Sequence, residues 1–174
     1  MSEVQDLPNI RELRDTDDFD SLTRLVHAAY ASQAARGLRF WGTHQSIDDT
    51  AKRFASGQGF VAEFHGEYVG TVIARPPQPN SPVALYREPN TWAISQLAVA
   101  PALKGRGLGK ALHRTALRHA EKNGGVTMAL DTAAPGTGLI AMYQSWGYQI
   151  VGHHDWRPHT NYLSVLMSRP VIAA

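Results

Sequence analysis

The run Ala93-Ile-Ser-Gln-Leu-Ala-Val-Ala-Pro-Ala-Leu-Lys-Gly-Arg-Gly-Leu-Gly-Lys-Ala-Leu-His113 constrains this chain more than any other stretch. An apolar run is stopped by Pro101, followed by a turn with three glycines and then by residues at helical spacing. The chain must therefore leave a strand and enter a helix through backbone conformations that a Cβ disfavours. The first N–H groups of such a helix have no partner inside it, and the helix dipole makes that end positive. Lys104, Arg106 and Lys110 crowd the same end, where cations are unfavourable unless an anion sits among them. The stretch reads as a cradle for a ligand that carries phosphates.

The rest of the chain supplies the setting. Residues 9–14 read as a first strand, and Asp15-Thr-Asp-Asp18 caps a helix to about Ser32, with Phe19, Leu22, Val26 and Ala29 on one face. A loop with Phe40 and Trp41 follows; these aromatics wall a binding site or cover the core. Ser46-Ile-Asp-Asp49 resembles a capping box, with Gly57 as the stop. Two strands, 59–64 and 68–74, form a hairpin around His65-Gly66-Glu67, and the proline-rich stretch to Asn90 reads as an exposed, mobile loop. The strand 91–99 leads into a helix to about Lys122, with Leu108, Ala111, Leu112, Thr115 and Ala116 as its buried face. A strand at 126–132, a short helix ending at Trp146-Gly147 and two strands within 148–167 complete the order β-α-α-β-β-β-α-β-α-β-β. That order predicts a mixed α/β (α+β) domain with a central sheet of about seven strands and four main helices.

At 174 residues the chain is expected to be one domain, with residues 1–8 flexible. A formal net charge of +2 gives no argument for nucleic acid, and without cysteine there is no disulfide framework or thiol nucleophile. The start lacks the basic-then-apolar pattern of a signal peptide, and no apolar run reaches the roughly 18 residues of a membrane span. A cytoplasmic location with no membrane partner is expected.

Three glycine-rich classes compete for the cradle. A P-loop needs Gly-x-x-x-x-Gly-Lys-Ser/Thr, but here Ala111 follows Lys110 and Lys104 occupies the first glycine position. A dinucleotide fingerprint needs Gly-x-Gly-x-x-Gly early in a βαβ unit, whereas Lys110 stands at the third glycine, after a hairpin. The third class fits: Leu97-Ala-Val99, Pro101 and Lys104-Gly-Arg-Gly-Leu-Gly109 resemble the acetyl-CoA motif of the GNAT superfamily of N-acetyltransferases, Arg/Gln-x-x-Gly-x-Gly/Ala, with Lys104 at the Arg/Gln position. Ala141-Met-Tyr-Gln-Ser-Trp-Gly-Tyr148 resembles the family's second motif, Leu-Tyr-x-x-x-Gly-Phe/Tyr.

The resemblance implies the GNAT fold and transfer of an acetyl group from acetyl-CoA to a primary amine by direct attack. The backbone of Leu97, Ala98 and Val99 would hold the pantetheine arm, and the N–H groups of Lys104, Gly105, Arg106, Gly107, Leu108, Gly109 and Lys110 the pyrophosphate. Tyr143 matches the usual general acid. The glutamate that many members carry on this strand is replaced by Ser95 and Gln96. Asp131 matches the position where some members place a catalytic glutamate, with His153 or a water chain as the other candidates for the base, and Thr132 or Thr137 would stand in for a missing cofactor-binding asparagine. The acceptor, a small amine, an amino acid or a peptide N-terminus, would be held by the 36–45 loop, the 81–90 loop and the last two strands, whose Arg36, Arg39, Arg87 and Arg157 suit a carboxylate. A non-catalytic acyl-CoA-binding module is the alternative, and the resemblance allows a monomer or a homodimer. His153, His154, Asp155 and His159 make no metal site, because adjacent strand residues point to opposite faces.

Overall fold

The computed structural model describes residues 6–172; residues 1–5, part of the expected flexible start, and 173–174 lie outside them. In chain order the elements are β1 (Asn9–Glu12), α1 (Phe19–Ala35), α2 (Ile47–Ala55), β2 (Gln58–Phe64), β3 (Glu67–Arg75), the single turn α3 (Ala84–Arg87), β4 (Thr91–Val99), α4 (Leu108–Lys122), β5 (Thr127–Ala133), α5 (Thr137–Ser145), β6 (Gln149–Asp155) and β7 (Leu163–Pro170). Two one-turn 3-10 segments precede α2 and α4. The expected order holds, with the single turn α3 added between β3 and β4.

Local chemistry sets the ends of these elements. Asp18 accepts from the N–H groups of Asp20 and Ser21 at the start of α1, and Ser46 and Asp49 cap α2 reciprocally. α1, α4 and α5 are each followed by a glycine at positive φ: Gly37, Gly124 and Gly147. At the end of α5 the Gly147 N–H returns to the carbonyl of Gln144 and the Tyr148 N–H to that of Tyr143. That pairing is a Schellman motif, and its usual apolar contact is the pair Tyr143 and Tyr148, with ring centroids 5.8 Å apart. The hairpin turn is two residues long, with His65 at φ 51° and Gly66 at φ 78°, the pattern whose twist matches paired strands.

The strands form one sheet in the order β1-β2-β3-β4-β5-β7-β6. α4 and α5 cover one face, where Leu112 and Ala116 pack on Val72, Ile94, Met128 and Leu130. On the other face Leu22 and Leu25 of α1 and Phe54 of α2 pack on Val61 and Ile73. β4 and β5 are the parallel neighbours, and they pair only from Thr91–Ala93 to Thr127–Ala129. Beyond that rung they diverge and open a gap in the middle of the sheet.

Two expectations need correction. The 76–90 stretch is not simply an exposed loop: Val83 and Tyr86 are buried against Ala93, Ala129 and Leu166, because the short apolar run Val83-Ala-Leu-Tyr86 folds into α3 and closes over the sheet. On α4, Ala111 and Thr115 are only half-buried, while His113, Leu117 and Ala120 are buried. Among the described residues no helix is long and apolar enough to cross a membrane.

Candidate active site

The gap begins at a distorted strand. Gln96 of β4 has φ 50°, a region few non-glycine residues enter, and the β3–β4 register shifts beside it. The bulge is held from several sides. The Thr71 hydroxyl donates to the Gln96 carbonyl, the Gln45 amide donates to the Gln96 side-chain oxygen at 2.9 Å, and Tyr30 donates to the Leu97 carbonyl at 2.8 Å. The Gln96 Nε2 is buried without a partner.

Past the bulge, Thr71 pairs with Ala98 and Gly70 with Val99, and the Ala100 N–H donates to the Val69 carbonyl. Antiparallel alternation then turns the N–H and C=O of Ala98 toward β3 and those of Val99 toward the gap. The expectation that Ala98 offers its backbone to a ligand is therefore corrected: its polar groups belong to the ladder, and its side chain packs on Val26 and Ala29.

The glycine turn continues from this strand. Gly105 and Gly107 have φ of 79° and 84°, whereas Gly109 lies within α4 and does not need the freedom expected of it. A Cβ at Gly105 or Gly107 would meet nothing within 4 Å, so their requirement is conformational rather than spatial. Gly107 caps α4 with no side-chain acceptor, and the N–H groups of residues 105–110 have no backbone acceptor among the described residues. Lys104 departs from expectation in its side chain, whose Nζ donates to the Ala29 carbonyl of α1 at 2.7 Å instead of facing the turn. Arg106 and Lys110 stay exposed there.

A cavity of about 710 Å³ runs through the gap. It brings together Leu97, Asp131 and Tyr143, while Ala98, Val99 and residues 104–110 lie outside its lining. Tyr143 belongs to α5, on the α4 side of the sheet. Asp131 belongs to the opposite face: Arg75 is paired with Ala93 and Ala93 with Ala129, so these three share a face, and Asp131, two residues beyond Ala129, shares it too. The cavity thus joins the two faces.

Asp131 is open to the cavity but crowded by protein elsewhere, and that desolvation raises its carboxyl from the ordinary aspartate value. The Tyr86 hydroxyl donates to Asp131 Oδ2 at 2.5 Å and opposes the rise, as do His154, Arg53 and Arg75 through their charge. Burial pushes the Tyr143 hydroxyl well above the ordinary tyrosine value, so it is a protonated donor at neutral pH. No hydrogen bond within the described fold occupies that hydroxyl. Thr132 lines the same cavity with a buried hydroxyl that has no partner, whereas Thr137 is exposed.

All three regions expected to hold an acceptor contribute walls: Phe40, Trp41 and Gly42 from one loop, residues 78–82 and Tyr86 from the next, and Trp156, Thr160 and Tyr162 between β6 and β7. The expected arginines do not. Arg36, Arg39, Arg87 and Arg157 are all absent from the lining; Arg87 bonds to the Ser81 carbonyl and Arg157 is paired with Asp155. Their place is taken by Arg53 and Arg75, which have no motif to mark them. His153 lines a separate groove of about 410 Å³ beside Val83 and Leu85, so it is no candidate base in the gap. Among the described residues no three His, Cys, Asp or Glu side chains gather as a metal site. Sequence reasoning missed Tyr86, Gln96, Arg53, Arg75 and the buried His113, whose Nε2 pairs with the Tyr148 hydroxyl at 2.7 Å beneath the cradle helix.

Residues 20–148 match the model of the acetyltransferase (GNAT) family. The chain is 35% identical over 116 residues to N-acetyltransferase 8 of Mus musculus, an alignment covering 63% of this chain and 47% of that protein. The chain spans about half the length of the curated relatives it matches. In fold it resembles the ribosomal-protein-S18-alanine N-acetyltransferase of Escherichia coli, with TM-score 0.71, 21% identity, and coverage of 97% of this chain and 96% of that one. It also resembles a Bacillus subtilis acetyltransferase in complex with CoA, with TM-score 0.67, 19% identity, and coverage of 95% and 100%.

Proposed function

The chain belongs to the acetyltransferase (GNAT) family, and on that premise we propose that it transfers the acetyl group of acetyl-CoA to the primary amine of a small molecule or amino acid. The observation that carries this reading is the cavity through the sheet, with Asp131 on one face and Tyr143 on the other. Acetyl-CoA supplies a thioester activated for attack. The unpartnered N–H groups of residues 105–110 suit its pyrophosphate, and the backbone of Val99, turned toward the gap beyond the Leu97 carbonyl that Tyr30 holds, suits an extended arm laid beside it as an added strand.

Each residue then has its task. Asp131 takes a proton from the entering ammonium group, which makes the nitrogen nucleophilic. The Val99 N–H, turned into the gap, donates to the carbonyl oxygen as negative charge develops there. Tyr143 gives its proton to the departing sulfur as the carbon–sulfur bond breaks, and the second proton of the acylated nitrogen returns to the phenolate, which leaves a neutral amide and a free thiol. An acyl-CoA-binding module without activity would need none of this polarity at the gap, and the joint placing of Asp131 and Tyr143 favours the enzyme.

The test is release of free thiol from acetyl-CoA across a panel of amino acids, polyamines, aminoglycosides and peptides. Turnover with at least one amine is expected, and Tyr143→Phe should lower kcat by about a hundredfold to ten-thousandfold while leaving acetyl-CoA affinity within about twofold. Tight CoA binding with no turnover on any acceptor would replace the enzyme with the binding module, and an unaffected Tyr143→Phe would move the acid elsewhere.

A further inference from the structure

The face of the cavity that holds Asp131 also carries more positive charge than the fold uses. Lys52, Arg53 and Arg75 line it, against Asp49 and Asp131. Asp49 is committed to the cap of α2, where its carboxylate accepts the Ser46 N–H. None of the ion pairs among the described residues includes Arg53 or Arg75. Arg53 gives one N–H to the side-chain oxygen of buried Gln45 at 2.7 Å, which fixes its guanidinium at the cavity wall. Arg75 donates to nothing in the described fold, and its Nε is sealed from solvent without an acceptor. Asp131 is near enough to act on both through its charge but pairs with neither, and guanidinium groups drawn into a protein without a paired carboxylate are costly. Two of them facing one cavity imply an anion that arrives with a ligand.

The register says where that anion would sit. Arg75 and Asp131 project from the same face, on the strands flanking β4, with the Ala93 rung between them. A ligand spanning them would place an anion at Arg75 and Arg53 and a cation at Asp131. The remaining wall is apolar and aromatic. Tyr30, Phe40 and Tyr162 pack in series, with centroids 5.4 and 5.1 Å apart. Trp41, 39% exposed, stacks between His44 and His159. Such a wall suits an apolar side chain, while Lys52, Arg53 and Arg75 in the lining repel a polycation.

Resting on the transferase reading above, we propose that the acceptor is a carboxylate-bearing primary amine with an apolar substituent, an α-amino acid in kind, whose carboxylate is bound by Arg53 and Arg75 while its amine is presented to Asp131. A planar carboxylate matches the fork of a guanidinium in a way a lone lysine does not. The two arginines set which amine is used and take no part in the proton transfers.

Binding without chemistry tests the proposal. N-acetylalanine, N-acetylleucine and N-acetylphenylalanine, each beside its C-terminal amide, are titrated calorimetrically into the protein saturated with CoA. At least one acid should bind roughly tenfold or more tightly than its amide. Arg75→Gln and Arg53→Gln should each shrink that preference, Arg75→Lys should restore part of it, and CoA affinity should not move. Equal binding of every acid and amide, no detectable binding of any acid, or a preference that survives both glutamine substitutions would overturn the assignment. The transferase reading fails separately, by acid-selective binding with no thiol released from any amine.

Discussion

The protonation of Asp131 is set by opposing influences that can be separated one residue at a time. Crowding raises its pKa, while the Tyr86 hydroxyl and the nearby Arg53 and Arg75 favour the charged form. In its proposed role as base Asp131 must be deprotonated to act, so kcat/KM should fall as pH drops through the Asp131 pKa. Tyr86→Phe removes a donor to the carboxylate without adding a charge, which raises that pKa further. The acid limb of the pH profile of kcat/KM should therefore move to higher pH, with the plateau largely kept. An unmoved limb would mean that the titrating base is another group. Neither Tyr86 nor the arginines could be read as site residues from the sequence: Tyr86 sits in a proline-bracketed stretch and contacts Asp131 only because α3 folds back over the sheet. Its one signal was the run Val83-Ala-Leu-Tyr86, four residues of apolar and aromatic character in polar surroundings.

At the scale of the element, the strand, turn and helix from Thr91 to Lys122 were legible almost to the residue, because proline, glycine and helical periodicity are local rules. The backbone separates the roles of the three glycines. Gly107 stands at φ 84° with open space around a built Cβ, so a substitution there is judged by backbone strain alone. A β-branched residue in the left-handed region costs about 1–3 kcal/mol, and the turn would relax away from the geometry that aims its N–H groups. Gly107→Val should weaken CoA binding by about tenfold or more. Gly107→Asn, a residue that tolerates this region, should keep most of the affinity. Gly109→Ala is the internal control, because Gly109 is helical and a Cβ would make ordinary contacts of 3.6 and 3.8 Å with Val99 and Trp146. Equal losses from all three would show that bulk, not backbone conformation, governs the cradle. The second motif has a similar local cause: the spacing from Tyr143 to Gly147 and Tyr148 is that of a Schellman motif. That motif holds Tyr143 in the last turn of α5 and seats Tyr148 against His113.

Across the whole molecule, the far edge of the sheet is tied to the turn that leads into α1 by a cluster remote from the gap. Arg11 of β1 makes ion pairs of 2.7 Å with Asp17 and 2.8 Å with Glu63 of β2, and the Tyr68 hydroxyl of β3 donates to Asp17. The Arg11 guanidinium beside it holds the Asp17 carboxyl well below the usual range. A folded pKa below the unfolded one contributes stability that is present above the unfolded value of about 4 and is lost as pH falls through the folded pKa. Asp17→Asn should cost about 1.5–3 kcal/mol in urea unfolding at neutral pH. The variant should also lose part of the steep fall in stability that the parent shows below about pH 4. Equal stability of the two proteins at neutral pH would assign the cluster no net contribution.

By itself the sequence determined the order of the elements, the caps, the glycine cradle, the Tyr143 motif and hence the family, since each depends on neighbours within a few residues. Only the tertiary structure decided how the two faces of the sheet communicate. β4 and β5 separate after Ala93 and Ala129, and the gap admits Asp131 from one side and Tyr143 from the other. It also decided that Ala98 bonds to β3 while Val99 faces the gap, that the Lys104 side chain turns to α1, and that Arg53 and Arg75 line the cavity while Arg36, Arg39, Arg87 and Arg157 do not. The reason is physical: strand register and the packing of α2 and α3 bring together residues far apart in the chain, and no local pattern encodes a pairing between Arg75 and Ala93 or between Tyr86 and Asp131.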